Sequence, residues 1–319
     1  MTTENKPTYG GQAVLEGVMI RGQRHMAVAV RRPNGAIAVQ SKPLSNLFTG
    51  SLRQFPLVRG VIVLVETLAL GMRALTYSAN ISMEDPDADP DGEVEQEEMG
   101  TMSVVLMLMV SLLFAIGLFF LLPLFASRPL EGMFGGDLFS NIAEGVIRMV
   151  IFLIYIWVIG KMGEINRVFM YHGAEHMTVH AQERGVPLEI EYIRKYSPAH
   201  PRCGTAFLLT VMVVAIVVFA FIPRDPFWWL VTSRIIFIPI IAAGAYEIIR
   251  ISSRYERNPL VRLITSPNLA LQKLTTRWPD DDQIEVAIAA MQSAIDSDQS
   301  DQTNDFPSPV QEEDQSQTL

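Results

Sequence analysis

Cysteine and charge are what this 319-residue chain has least of. Its single cysteine, Cys203, excludes an internal disulfide and is compatible with a reduced compartment. Charged residues make up 18% and hydrophobic residues 49%, whereas soluble domains carry roughly a quarter charged. Mean hydropathy is +0.24. That balance excludes an ordinary soluble domain and points to an integral membrane protein. Basic clusters interleaved with aromatics are also missing, so nucleic acid is not an expected partner. Met1 to Gly11 lacks a basic stretch followed by an apolar run, so insertion is expected to use internal segments.

Negative charge gathers where apolar residues are scarce. Glu84 to Glu98 holds nine acids, Asp296 to Leu319 holds seven, and neither run contains Lys or Arg. Against a whole-chain charge of −9, the remainder therefore carries +7. The runs read as a solvated linker (84–98) and a disordered acidic tail (296–319), because like charges repel and little apolar surface is there to bury. The mildly basic body suits a protein lying against anionic lipid.

Apolar runs take the place of charge. Four approach the ~20 apolar residues needed to cross a bilayer. They are 99–127, 142–160, 203–223 and 226–246; the last opens on Phe227-Trp228-Trp229 and contains Arg234. Residues 57–75 are also apolar but are broken by Arg59, Glu66 and Arg73. A central Glu costs about 2.5–3.5 kcal/mol in a spanning helix, by analogy with Asp, so this segment reads as an amphipathic or re-entrant helix. Residues 1–56 read as strand-rich, with two apolar runs flanking Asn34-Gly35, a hairpin signal. In the C-terminal region 250–295, apolar side chains recur at Ile284, Ala287, Ile288, Met291 and Ile295, an amphipathic helix over 281–295. The expected fold class is a mainly α, polytopic membrane protein. It has about four transmembrane helices within 99–249, an amphipathic or re-entrant helix before them, and a small N-terminal β-hairpin region.

Lys and Arg set the orientation. The loops after the first and third runs offer Arg128 and Arg224, whereas 161–202 carries six basic residues and the stretch after the fourth run carries six more. The positive-inside rule then places the N-terminus, the central segment 161–202 and the C-terminus in the cytoplasm. The second run is expected to continue as a helix to about Arg184, with a further short element at Glu191 to Tyr196.

Chemistry concentrates in that segment. Four of the five histidines lie between 172 and 200, and His172-Gly173-Ala174-Glu175-His176-Met177-Thr178-Val179-His180 spaces three of them by four. On a helix a step of four leaves side chains about 40° apart, so His172, His176 and His180 form a stripe beside Glu175. Two imidazoles one turn apart can chelate a divalent metal, Zn²⁺ first among them, and a neighbouring carboxylate can deprotonate metal-bound water. His-x-x-Glu-His also matches the inverted zincin pattern; the plainer alternative is a polar helix face above the membrane. His180 and His200 are the open choices for a third ligand, and Cys203 is either a buried structural thiol or a ligand. Glu247 is a distant carboxylate candidate or an interfacial ion-pair partner, and Arg234 a snorkelling residue or a partner for Glu144. His25 reads as a surface residue. Between Gly10 and Gly22, four glycines surround Glu16 and Arg21, which could face a ligand. Those glycines allow close backbone approach, and neither a P-loop nor a dinucleotide fingerprint is present.

Four segments in order resemble the bacterial YqhQ family of membrane proteins, classed as predicted metal-dependent enzymes. They are Gly10 to Met19, Tyr171 to His176, His200 to Thr205, and Leu274 to Arg277 followed by Pro279-Asp280-Asp281. The resemblance covers roughly residues 9–295, leaving out the acidic linker and tail. It implies a bacterial inner-membrane location and a metal site at the histidine helix. Two readings follow. In the first, the protein is a metal-dependent hydrolase at the cytoplasmic membrane surface, acting on a lipid or membrane peptide. There His172 and His176 bind Zn²⁺, His180 or His200 completes the set, and Glu175 is the general base. Glu16, Arg21, Cys203 and Glu247 are further ligands or supporting residues. In the second, it is a non-catalytic scaffold for cytoplasmic protein partners, or a conduit for small solutes or metal. The scarcity of polar residues inside the apolar runs speaks against a conduit.

Overall fold

A computed structural model describes residues 9–45, 50, 55–83, 101–130, 136–201, 203–255 and 258–305. Its sheet is an antiparallel meander of β1 (Gly10–Val14), β2 (Gly17–Arg21), β3 (His25–Arg31) and β4 (Ile37–Pro43), in that order. The Asn34-Gly35 turn joins β3 to β4 as expected, with Arg31 opposite Ile37. A second hairpin, not anticipated in the glycine-rich segment, places Val14 opposite Gly17 across a two-residue turn at Leu15-Glu16. Both faces of the sheet are covered. Val18, Ile20, Ala27 and Ala29 pack with Tyr171, Met177, Ile284 and Met291 on one side. Val14, Met19, Met26, Val28 and Val30 pack with Leu70, Ala74 and Ile81 on the other. This double burial is why the strands read as continuous apolar runs.

The helices are α1 (Val58–Ser82), α2 (Thr101–Ile116), α3 (Leu122–Ser127), α4 (Asp137–Ile159), α5 (Gly163–Arg184), α6 (Ile190–Ile193), α7 (Gly204–Ala220), α8 (Phe227–Arg254), α9 (Pro259–Thr275) and α10 (Asp281–Asp305). A π-helical turn, Gly117–Leu121, links α2 to α3. Among the described residues three helices are long and apolar enough to cross a membrane, Val105–Leu130, Asp137–Ile159 and Phe227–Arg254. The expected third span is shorter. α7 has 17 residues, about 25 Å of helix against an apolar core of ~30 Å, with Cys203 capping its start and Pro223 just beyond its end. Leu106, Leu113, Phe114, Ile154 and Ile236 are exposed, an apolar surface that lipid accepts and water does not.

Charge inside the apolar helices is neutralised locally. Buried Glu144 accepts from Arg148 (2.6 Å), Arg224 (2.9 Å) and Arg234 (3.4 Å). Arg234 is thus the partner of Glu144 that one sequence reading had it be.

Several other elements differ from expectation. α1 continues past Leu75 to Ser82, because one side of it covers the sheet: Glu66 turns inward, where Arg21 Nε donates to it (3.0 Å). Its outward row of Val65, Leu68, Met72 and Leu75 is exposed. The second apolar run breaks at Gly160-Lys161-Met162, which lets α5 leave α4 and pack on β1, β2 and α10. α9, unassigned from sequence, packs on α7 and α4 and exposes Leu260, Leu263 and Ile264. α10 extends beyond Ile295 to Asp305, so residues 296–305 of the acidic tail are helical. Asp298 anchors that extension by accepting the backbone N–H groups of Gln23 (2.6 Å), Arg24 (2.9 Å) and His25 (2.9 Å). His25, expected at the surface, is mostly buried against the same carboxylate (Nδ1 to Oδ1, 3.4 Å). The linker 84–98 and residues 306–319 lie outside the described residues.

Candidate metal centre

α5 carries His172, His176, His180 and Glu183 within an arc of about 80°, at about 100° per residue. Two stretches of chain cross this face. The α9–α10 connection passes at Gly173, where a Cβ would stand 2.0 Å from Arg277 O. There Arg277 N–H donates to Phe169 O (2.9 Å), and His172 Nδ1 donates to Thr275 O (2.8 Å). The second stretch runs back from α6 toward α7. Its carbonyls Pro198 O and Ala199 O accept from His176 Nδ1 (2.6 Å) and His180 Nε2 (2.9 Å). A carbonyl only accepts, so each imidazole donates through the named nitrogen and keeps a lone pair on the other. Backbone carbonyls thus set three tautomers, the way proteins orient metal-ligating histidines.

The lone-pair nitrogens meet two groups of side chains. His172 Nε2 lies 3.2 Å from Cys203 Sγ, and His172, His176 and Cys203 each bring a ligand atom within 4.8 Å of the others. His180, Glu183 and His200 do the same, with His200 Nε2 3.4 Å from Glu183 Oε2. Ring centroids are 4.4 Å apart from His172 to His176, 5.8 Å from His176 to His200 and 4.4 Å from His200 to His180. Gln272 of α9 holds His200 through both main-chain groups, accepting from its N and donating to its O at 2.8 Å each. Cys203 caps α7, its sulfur accepting from Thr205 N–H (3.3 Å).

Glu175 is buried beside His176, Oε2 to Nε2 3.4 Å. It packs on Gly11, where a Cβ would be 2.9 Å from Glu175 Cγ and 2.4 Å from Met19 O. Glycine is what leaves room there, and the Gly11 N–H donates to the carboxylate. Burial pushes the Glu175 pKa up, against the pull of His172, His200 and that N–H. Burial likewise lowers the pKa values of His176 and His180, favouring the neutral imidazoles that bind metals. A cavity of about 260 Å³ opens beside them, with Gly11, Arg21, Glu175, His176, His200 and Cys203 in its lining.

The ligand sets inferred from sequence are therefore regrouped. His180 and His200, alternatives for completing one site, stand together in a second group, while Cys203 joins His172 and His176. Glu183 was missed, although its step of three from His180 places it on the same face. Arg21 reaches the cavity. Glu16 instead accepts from Arg167 Nε (2.6 Å) and Tyr171 OH (3.3 Å). Glu247 accepts from Arg59 Nε (2.6 Å) and Leu57 N (3.2 Å). Neither carboxylate lines the cavity.

The family described as "Protein of unknown function (DUF1385)" matches residues 55–297, which include the histidine stripe and both crossing stretches. The "Uncharacterized protein YqhQ" of Bacillus subtilis (strain 168) is 32% identical over 307 residues, covering 95% of this chain and 96% of that one. No solved structure matches.

Proposed function

The chain belongs to the DUF1385 family, and we propose that it is a metal-dependent hydrolase of the bacterial inner membrane, with its site at the cytoplasmic surface. The observation that carries this reading is the tautomer set at α5. With Thr275 O and Pro198 O holding the donor nitrogens, His172 Nε2 and His176 Nε2 are left to meet Cys203 Sγ. Two imidazoles and a thiolate suit Zn²⁺, and three protein ligands leave a fourth position for water. When bound, the ion supplies Lewis acidity and a water acidic near neutral pH. The chain's own part is to hold Glu175 as the base that takes the water's proton, 3.4 Å from His176 Nε2 and screened from bulk solvent.

A membrane-surface substrate, a lipid or membrane peptide, is supported by where the cavity lies. Cys203 and Gly204 line it at the start of apolar α7, and α9 alongside turns Leu260, Leu263 and Ile264 outward. The cytoplasmic orientation rests on the distribution of Lys and Arg. Metal analysis of detergent-purified protein tests the reading. Stoichiometric metal in wild type, with His176→Ala losing the ion held by His172, His176 and Cys203, is expected; negligible metal in both sinks it. Glu175→Gln is expected to keep the metal and lose function in cells. Unchanged cellular function would instead favour a non-catalytic scaffold with a structural ion.

A further inference from the structure

We propose that His180, Glu183 and His200 bind a divalent cation of their own, so that two metal ions serve the cavity beside α5. The inference deepens the reading above by making that site binuclear, and the experiment below separates the two.

The second group repeats the construction of the first. At each end of the imidazole row two rings stand 4.4 Å apart with planes tilted by 59°. Each end adds one anionic donor, Cys203 Sγ at one and Glu183 at the other, and the three ligand atoms fall within 4.8 Å of one another. His180 donates Nε2–H to Ala199 O (2.9 Å), which leaves Nδ1 as its ligand atom. His200 has its main chain clamped on both sides by Gln272, and its side chain is 6% exposed. A ring so fixed does not have to be ordered when an ion arrives, which removes part of the entropic cost of binding. Glu183 supplies a carboxylate in place of sulfur, a harder donor set that suits Zn²⁺, Mn²⁺ or Fe²⁺. The two groups face one space: His176 and Cys203 of the first and His200 of the second line the same cavity, and Glu175 lines it too.

Cobalt loading of the full chain in detergent, read by metal content and absorbance, is the test. Wild type should take two Co²⁺ per chain. Glu183→Gln should take one and keep the thiolate-to-cobalt band, since Cys203 belongs to the other group. Glu183→Asp, which restores a carboxylate, should recover the second ion at weaker affinity. His176→Ala should lose the thiolate band and keep one ion. One ion per chain in wild type, unaffected by Glu183→Gln, overturns the second site and leaves the first standing. One ion that survives His176→Ala and is lost in Glu183→Gln supports the second site and overturns the reading of the first. No bound cobalt in wild type overturns both.

Discussion

Gly173→Ala tests how the site is built. In most helix interiors this substitution stabilises by about 1 kcal/mol, because alanine is the better helix former. At residue 173 the added Cβ would stand 2.0 Å from Arg277 O. The α9–α10 connection would have to retreat by roughly 1.5 Å to restore a contact of about 3.5 Å. Overpacking of this kind costs about 1–3 kcal/mol. Retreat also disrupts Arg277 N–H to Phe169 O (2.9 Å) and His172 Nδ1 to Thr275 O (2.8 Å), each worth about 0.5–1.5 kcal/mol. Setting the helix-propensity gain against these terms leaves a net destabilisation of about 1–5 kcal/mol. Gly163→Ala on the same helix is the control, because its Cβ would meet nothing within 4 Å; it should be neutral or stabilising by up to about 1 kcal/mol. Thermal melting in detergent compares the two variants, and chelator competition measures metal affinity. Affinity should fall about 10–100-fold in Gly173→Ala alone, as His172 loses the carbonyl that orients it. A Gly173→Ala protein that melts at or above Gly163→Ala and binds metal like wild type refutes the reasoning.

Other perturbations probe the site's charge and the frame around it. Because burial lowers the pKa values of His176 and His180, the unfolded chain takes up protons the folded chain resists as pH falls through about 6.5. The metal-free protein should therefore be less stable at about pH 5.5 than at about pH 7.5. Glu175, pushed upward, works in the opposite sense, its contribution being present at low pH and lost as pH rises. Glu175→Gln should accordingly steepen the fall, and a melting temperature that rises toward acid in that variant would count against buried neutral imidazoles. Glu144→Ala leaves Arg148, Arg224 and Arg234 without the carboxylate that joins them; a loss of about 3–5 kcal/mol should appear as poor recovery of folded protein, and full recovery would contradict it. Asp298→Ala strips the acceptor from three backbone N–H groups, costing about 1–3 kcal/mol, so limited proteolysis should remove the end of α10 faster than in wild type.

Local spacing made part of this molecule legible. Asn34-Gly35 announces a hairpin, steps of four announce the histidine stripe, and the apolar period of α10 survives intact. What escaped depends on distant partners. The sequence shows that Gly11 allows close approach but not that Glu175 is what approaches, and nothing near Gly173 announces the main chain of Arg277. α10 outlasts its apolar period because Asp298 finds backbone donors between β2 and β3. The ligand stripe was visible, but its division into two groups was not. That division is set by Thr275 and Gln272 on α9 and by the carbonyls of Pro198 and Ala199, none of which a helical spacing rule can reach. Of the two readings of Glu247, the ion-pair partner is the one found, since Arg59 holds it away from the cavity.

Zinc X-ray absorption on zinc-loaded Glu183→Gln protein, in which the first ligand group is intact and the second is not, addresses the central claim directly. His172, His176 and Cys203 around one ion predict one sulfur at about 2.3 Å and nitrogen or oxygen neighbours at about 2.0–2.1 Å. A shell of light atoms alone, or zinc that washes away, would contradict it.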